Sequence, residues 1–232
     1  MNEEYREYEV VRRVERSPTT ATLWIVPAVG DRPDFIPGQF VNILLPGHGS
    51  DAKSYSISSV PSDPGFALTV RAAGPFSRTL AARRKFETLL VSSPYGYFYP
   101  VDTKTPRLCL AGGIGICPLI SFICASVEEN ACPKTALLYS SRNAKEMVFY
   151  DLCCRLSRNG FLSVKYFLTR EQRTLPGAVH GRIGAEHLRE VWQQHPEGHW
   201  FLCGSIAFVR DMRLMLKSLR VPEEVIFTEA FF

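Results

Sequence analysis

Residues 111–118 read Ala-Gly-Gly-Ile-Gly-Ile-Cys-Pro and directly follow the apolar run Leu108, Cys109, Leu110. A buried strand that ends in a glycine turn and opens a helix brings the backbone close to a ligand. It also offers the unpaired N–H groups of the helix start to phosphate. Gly112, Gly113, Ile114, Gly115 and Pro118 are therefore candidate nucleotide-binding residues. Their spacing, Gly-Gly-x-Gly-x-x-Pro, differs from the Gly-x-Gly-x-x-Gly/Ala dinucleotide fingerprint, which implies another pyridine-nucleotide module.

Two further segments suit a flat, phosphorylated ligand. Lys53, Ser54, Tyr55 and Ser56 place a cation, an aromatic ring and hydroxyl donors on one expected strand. Lys53 and Tyr55 share one face there, Ser54 and Ser56 the other. Such a set can hold a phosphate, a planar ring and a ring nitrogen; it also reads as an ordinary polar edge strand. Gly74, Pro75, Phe76 and Ser77 lie between a strand and a helix. This start is either a seat for an anion or a plain capped helix.

The elements that must position these groups fall into two rhythms. Strands are expected at 5–14, 21–26, 40–45, 55–58, 66–70 and 88–91, with one helix near 76–85. Short strands separated by Pro- and Gly-containing turns point to a small antiparallel barrel. Beyond Thr103–Pro106, strands at 107–111, 135–140, 163–168, 200–203 and 225–227 alternate with helices at 116–128, 144–157, 184–194 and 206–218. Alternation of this kind means right-handed crossovers and a parallel sheet, with ligands at the carboxyl ends of its strands. The expected fold has two domains: an N-terminal antiparallel β-barrel over 1–103 and a C-terminal α/β parallel-sheet domain over 104–232.

Composition narrows the function classes. The 232 residues suffice for two cores, and 46% hydrophobic with 22% charged residues is ordinary for a globular protein. The net charge of +4 contains no basic run longer than Arg83-Arg84-Lys85, which reads as a solvated helix end. Nucleic acid is not expected as a partner, although a basic surface can steer an acidic protein. Met1–Arg6 is polar and lacks the apolar centre of a signal peptide. The stretch Leu108–Val127 is broken by glycines and Pro118, so no integral membrane segment is expected. Seven cysteines, mostly in apolar settings and without metal spacing, fit a reducing cytoplasmic interior and no metal. Cys109, Cys117, Cys124 and Cys132 read as small core residues.

In order and spacing, over about residues 8–232, the chain resembles the ferredoxin–NADP reductase-like flavoproteins, in particular compact bacterial ferredoxin and flavodoxin reductases and flavin reductases. Lys53–Ser56 is similar to that family's Arg-x-Tyr-Ser flavin motif and Gly74–Ser77 to its Gly-x-x-Ser pyrophosphate loop. Gly112–Pro118 resembles its nicotinamide-nucleotide loop, Cys203-Gly204-Ser205 its Cys-Gly-Pro/Asn motif, and Thr228–Phe231 its Glu-x-aromatic ending.

The resemblance implies FAD, with FMN less favoured. Tyr55 would stack on the isoalloxazine, Ser56 would hydrogen-bond near flavin N5, and Lys53 would face the flavin phosphate. The family has Arg at the last position, so this chain exchanges a bidentate fork for a point charge. Cys203 would lie against nicotinamide near C4, a core cysteine being the alternative reading. Glu229 would polarise the site, and Phe231 or Phe232 would cover the flavin face. Ser56, Cys203 and Glu229 are thus the implied catalytic residues.

Nucleotide choice turns on two strand ends. Ser141 and Arg142 follow one, and Thr169, Arg170 and Glu171 the next. The second group resembles the Ser-Arg-Glu of the family's NADPH users. A 2′-phosphate rewards an arginine fork, whereas a 2′-hydroxyl rewards a carboxylate, so NADPH is favoured over NADH. Arg182 reads as structural as readily as functional. The implied activity passes electrons from NADPH or NADH through FAD to a separate acceptor protein such as ferredoxin, flavodoxin or an oxygenase component. A free-flavin reductase and a non-enzymatic flavin-binding regulatory subunit are the alternatives.

Overall fold

Strands β1 (Tyr5–Ser17), β2 (Thr20–Pro27), β3 (Phe40–Leu44), β4 (Lys53–Ser56), β5 (Phe66–Arg71) and β6 (Thr88–Ser92) form one antiparallel sheet. They are seen in a computed structural model that describes residues 4–49, 51–171 and 175–231. The order is β4-β3-β6-β1-β2-β5. Its edges meet: Ile57 bridges Leu68, and the Ser58 N–H donates to the Ala67 carbonyl at 2.8 Å. The sheet therefore closes into the expected barrel. This closure also explains why the strand expected at 55–58 lies at 53–56, since the chain changes partners after Ser56.

Alternating residues such as Val10, Leu23, Ile25, Val41, Ile43 and Leu68 fill the barrel and are fully buried. Their burial is the main drive for its formation. Helix α1 (Pro75–Ala81) buries Leu80 against that core. It stops at Ala81 rather than near Lys85, because Phe86 takes a φ of 74° and donates its N–H to the Val10 carbonyl at 2.8 Å. The basic triplet thus lies in a turn, where Arg83 pairs with Glu87.

The second sheet contains β7 (Arg107–Gly112), β8 (Thr135–Ser141), β9 (Ser163–Leu168), β10 (Ala178–His180), β11 (His199–Ser205) and β12 (Ile226–Phe231). All its pairings are parallel, in the order β10-β9-β8-β7-β11-β12. Helices α2 (Ile116–Glu128) and α3 (Tyr150–Arg158) cover one core, which includes Leu119 and Cys153. Helices α4 (Ala185–Gln194) and α5 (Ile206–Ser218) cover the other, which includes Leu188 and Leu216. Strand order reverses between β7 and β11, and in such sheets the crevice for a ligand opens at that reversal.

Several expectations need correction. The helix expected from Ala144 is only a single 3-10 turn at Ala144–Glu146, and α3 starts at Tyr150: Met147 and Val148 between them are buried, and Phe149 has a φ of 61°. Strand β10 was not expected, having only Ala178 and Val179 as apolar signal. The last strand runs to Phe231 rather than Phe227. Cys132 is exposed, not core.

The halves are bolted together. Ser121 Oγ donates to the Ser59 carbonyl at 2.6 Å, Thr19 Oγ1 to Glu146 Oε2 at 2.9 Å, and Arg16 sits 5.2 Å over the Phe149 ring. Phe98 packs edge-on against Phe201, 5.8 Å between centroids, although it precedes the expected boundary at 103. Among the described residues no helix is long and apolar enough to cross a membrane.

Candidate functional site

A cleft of about 1850 Å³ runs between the two sheets. On the barrel side, pairing of β3 with β4 sets Phe40 opposite Ser56 and Val41 opposite Tyr55, and Lys53, Ser54, Tyr55 and Ser56 all line the cleft. Ser54 and Ser56 have different environments. Ser54 is exposed and donates to Asn42 Oδ1 at 2.7 Å, whereas Ser56 is buried. Tyr55 is half-buried, and desolvation pushes its phenol up to about 12, so it stays neutral.

Gly74, Pro75, Phe76 and Ser77 continue this wall. Ser77 Oγ accepts from the backbone N–H groups of Ala73 and Gly74, both at 2.9 Å. The hydroxyl thereby closes the loop as a helix start, and Pro75 takes the first helical position. Arg71, at the end of β5, also lines the cleft, and the sequence reading missed it. A Cβ placed on Gly113 would lie 3.8 Å from its Nη1, so the cation faces the glycine turn. A single Arg after a strand has no spacing that marks it out.

On the opposite wall, Gly112, Gly113 and Ile114 line the cleft, with Gly113 at a φ of 56°. Gly115, Pro118, Cys203 and Gly204 are buried behind that surface and do not line it. Gly115 is needed for close approach: a Cβ there would stand 2.1 Å from the Cys203 carbonyl oxygen. Gly112 and Gly204 accommodate the Phe208 ring, which would meet a Cβ at 2.7 and 2.8 Å respectively. Cys203 is fully buried, and its thiol is pushed well above the ordinary range by desolvation and by nearby Glu229. Cys117, read as a core residue, is buried and borders the cleft from beneath, and its Sγ lies 3.9 Å from the Thr69 carbonyl oxygen.

Strand β12 brings the chain's last described residues into the cleft. Parallel pairing with β11 sets Glu229 opposite Cys203 and Phe231 opposite Ser205. Ser56 Oγ donates to Glu229 Oε1 at 2.9 Å. Burial raises the Glu229 carboxyl to about 7, the Ser56 hydrogen bond opposing that shift. Phe231 is half-buried on the cleft wall; Phe232 lies outside the described residues.

At the far end, Ser141, Arg142, Thr169, Arg170 and Arg182 line the cleft. The two strand ends are tied by Thr169 N–H to the Ser141 carbonyl at 3.0 Å and Arg170 N–H to the Arg142 carbonyl at 2.8 Å. Arg142, Arg170 and Arg182 are all exposed. Lys53, Arg71 and these arginines give the cleft a cationic lining, while the barrel side presents aromatic rings. Flat rings joined by phosphates, as in FAD and a nicotinamide dinucleotide, fit this donor set.

Comparisons agree with that chemistry. Residues 109–214 match the oxidoreductase NAD-binding domain family. The ferredoxin reductase component of 3-ketosteroid-9-alpha-monooxygenase from Mycobacterium tuberculosis is 28% identical over 94% of this chain and 62% of its own length. Flavohemoprotein A of Dictyostelium discoideum is 26% identical over 97% of the chain and 60% of its own length. The chain thus spans about three fifths of these curated relatives. Among solved structures, the FAD/NAD-binding domain of nitric oxide dioxygenase from Vibrio cholerae superposes with a TM-score of 0.88 at 23% identity, covering 97% and 98% of the two chains. A ferredoxin NADP+ reductase from Neisseria gonorrhoeae gives 0.82 at 21%, covering 98% and 99%. Residues 109–214 thus resemble an oxidoreductase NAD-binding domain, and the whole chain shares the two-domain fold of these ferredoxin reductase-like structures.

Proposed function

We propose that this chain takes hydride from NADPH onto FAD held in the cleft and passes the electrons to a separate acceptor protein. The observation that carries the reading is the Ser56–Glu229 hydrogen bond, which joins barrel strand β4 to β12, the edge strand beside β11. Bound FAD supplies the redox chemistry, accepting a hydride and releasing electrons onward.

The chain's own residues do the placing, with 1–103 as the flavin half and 104–232 as the nucleotide half. Tyr55 offers the ring on which the isoalloxazine stacks, and Lys53 with the Gly74–Ser77 loop faces its phosphates. Ser56 and Glu229 form a hydrogen-bonding pair at the reacting edge, where Glu229 holds a proton near neutral pH. Gly112–Gly115 admit the nicotinamide nucleotide, with Cys203 shaping the wall from behind. Arg142 and Arg170, with Ser141 and Thr169, grip the 2′-phosphate. Phe231 covers the flavin face and swings aside for nicotinamide. One relative is named as the reductase component of a monooxygenase, and that likeness supports an oxygenase component or a ferredoxin as acceptor.

Anaerobic addition of NADPH to flavin-loaded protein tests the reading: the flavin band at about 450 nm bleaches within turnover time. Loaded protein that bleaches with neither NADPH nor NADH refutes it. A colourless protein with only micromolar flavin affinity that still oxidises NADPH shifts the reading to a free-flavin reductase.

A further inference from the structure

The segment 141–149 leaves the carboxyl end of β8 and serves two places at once. Its first residues, Ser141 and Arg142, line the far end of the cleft, while Glu146 and Phe149 reach across to the barrel. The turn between them is closed by its own hydrogen bonds. Ser141 Oγ donates to the Asn143 carbonyl at 3.1 Å, and Asn143 Oδ1 accepts from the Glu146 N–H at 3.0 Å. Glu146 Oε2 then accepts from Thr19 Oγ1 of the barrel at 2.9 Å, and the Phe149 ring lies 5.2 Å from the Arg16 guanidinium. Phe149 has a φ of 61°, which a bulky side chain rarely adopts and which persists only where the surroundings hold it. Arg16 is anchored in turn. Its Nε donates to Thr22 Oγ1 at 2.8 Å, and Thr69 Oγ1 lies 3.0 Å from both Thr22 Oγ1 and Ser58 Oγ. This polar chain runs through β2 and β5 to Ser58, two residues beyond Ser56, and stiffens the barrel side of the contact.

We propose that Arg16 and Thr19, gripping Phe149 and Glu146, form a latch that fixes how far the nucleotide wall of the cleft stands from the flavin wall. These four are then positioning residues for the hydride transfer, and the inference rests on the flavin reading above. Reacting atoms must come within about 3–3.5 Å, and a misplacement of about 1 Å far from the chemistry can cost about 100-fold in rate. The halves are also joined through α2, where Ser121 Oγ donates to the Ser59 carbonyl and Glu128 accepts from Ser62 Oγ. Those contacts keep the halves docked when the latch is lost, but they leave the β8 end of the parallel sheet free to pivot. The latch removes that freedom. A nucleotide held at Arg142 is thereby referred to the barrel through one short, hydrogen-bonded turn.

Two double variants test this. Thr19→Ala with Phe149→Ala removes both grips, whereas Thr19→Ser with Phe149→Tyr keeps a hydroxyl and a ring. Stopped-flow bleaching of flavin-loaded protein at saturating NADPH slows about tenfold or more in the first and stays within about twofold of wild type in the second. The Kd values for FAD and NADPH stay within about twofold in both. A second readout needs no flavin chemistry. Cys117 is buried between the halves, its Sγ 3.9 Å from the Thr69 carbonyl oxygen, whereas Cys109 is buried within the parallel-sheet core. Alkylation of native, flavin-stripped protein reaches Cys117 about tenfold faster in the alanine variant and leaves Cys109 unchanged. An unchanged bleaching rate, or a loss matched by the NADPH Kd, overturns the positioning role. Equal acceleration at Cys109 overturns it too, because the variant is then unfolding as a whole. Wild-type protein that bleaches with neither NADPH nor NADH overturns the flavin reading and the positioning role with it, and Cys117 labelling still decides the latch.

Discussion

Ser56 and Glu229 stand 173 positions apart in the sequence and are joined by a 2.9 Å hydrogen bond from the hydroxyl to the carboxyl. One belongs to a barrel strand and the other to the last strand of the parallel sheet, so the contact exists only when both halves are folded and docked. Burial is what lifts the Glu229 carboxyl toward neutrality, against the opposing Ser56 hydrogen bond. The same circumstance gives the pair a stability signature.

The folded-state value for Glu229 is about 7, above its reference of 4.5. A carboxyl raised on folding keeps its proton in the native state after the unfolded chain has lost it. Stability from this group is therefore greatest below about pH 4.5 and falls as pH rises to about 7, by roughly 3 kcal/mol across the window. Glu229→Gln removes that slope. Urea melts at pH 5 and pH 7.5 should show a smaller drop for the variant than for wild type. Identical drops would mean that Glu229 titrates normally.

Cysteine accessibility gives an independent check on the wall of the cleft. Cys132 is exposed, whereas Cys109, Cys117 and Cys203 are buried with thiols pushed upward by desolvation. Since the thiolate is the reactive form, an alkylating reagent at pH 8 should modify Cys132 rapidly and those three only after unfolding. Mass mapping of the labelled peptides reads this out. Rapid native-state labelling of Cys203 would place it on the cleft surface after all.

Much of this was legible in the sequence because it rests on local signals. The glycine turn at 112–115, the strand–helix alternation after 106 and the barrel-type strand spacing before it all reappear in the structure. The less legible parts depend on partners distant in sequence. Nothing near Ser56 announces Glu229, and nothing near Arg71 announces Gly113, which it meets across the two halves. The strand at 226–231 reads as a tail until β11 supplies its ladder, and the break at Met147–Phe149 follows from a core that buries Met147 and Val148. Cys203 illustrates the limit well: its place at a strand end and a core reading were both legible, but the close approach of Gly115 to its carbonyl oxygen was not.

The glycines of the turn should respond unequally to alanine. At Gly115 the added Cβ would fall 2.1 Å from the Cys203 carbonyl oxygen, and the β11 backbone would have to move away from the turn. Gly115→Ala should therefore cost more than about 4 kcal/mol or prevent folding. At Gly113 the nearest atom is the end of Arg71 at 3.8 Å, leaving only the positive φ of 56° as an obstacle. Gly113→Ala should cost about 1 kcal/mol. Thermal melts of the two variants decide it, and equal losses would contradict the close approach of Gly115 to Cys203 of β11.

Nucleotide preference should reside in the arginines at the far end of the cleft. Arg142 and Arg170 come from adjacent strand ends held together by backbone hydrogen bonds, so their forks are carried on a rigid base. NADPH differs from NADH only by the 2′-phosphate, and a charge-assisted hydrogen bond to it contributes about 1.5–3 kcal/mol. Arg170→Ala should accordingly raise the KM for NADPH by about tenfold or more and leave that for NADH within about twofold. Because these guanidiniums are exposed, added salt should weaken NADPH binding in wild type more than in the variant. Steady-state kinetics with both nucleotides at two ionic strengths checks each part. Equal KM increases for NADPH and NADH would remove Arg170 from any contact with the 2′-phosphate. A wild-type enzyme that prefers NADH would assign these arginines to the pyrophosphate, which both nucleotides share.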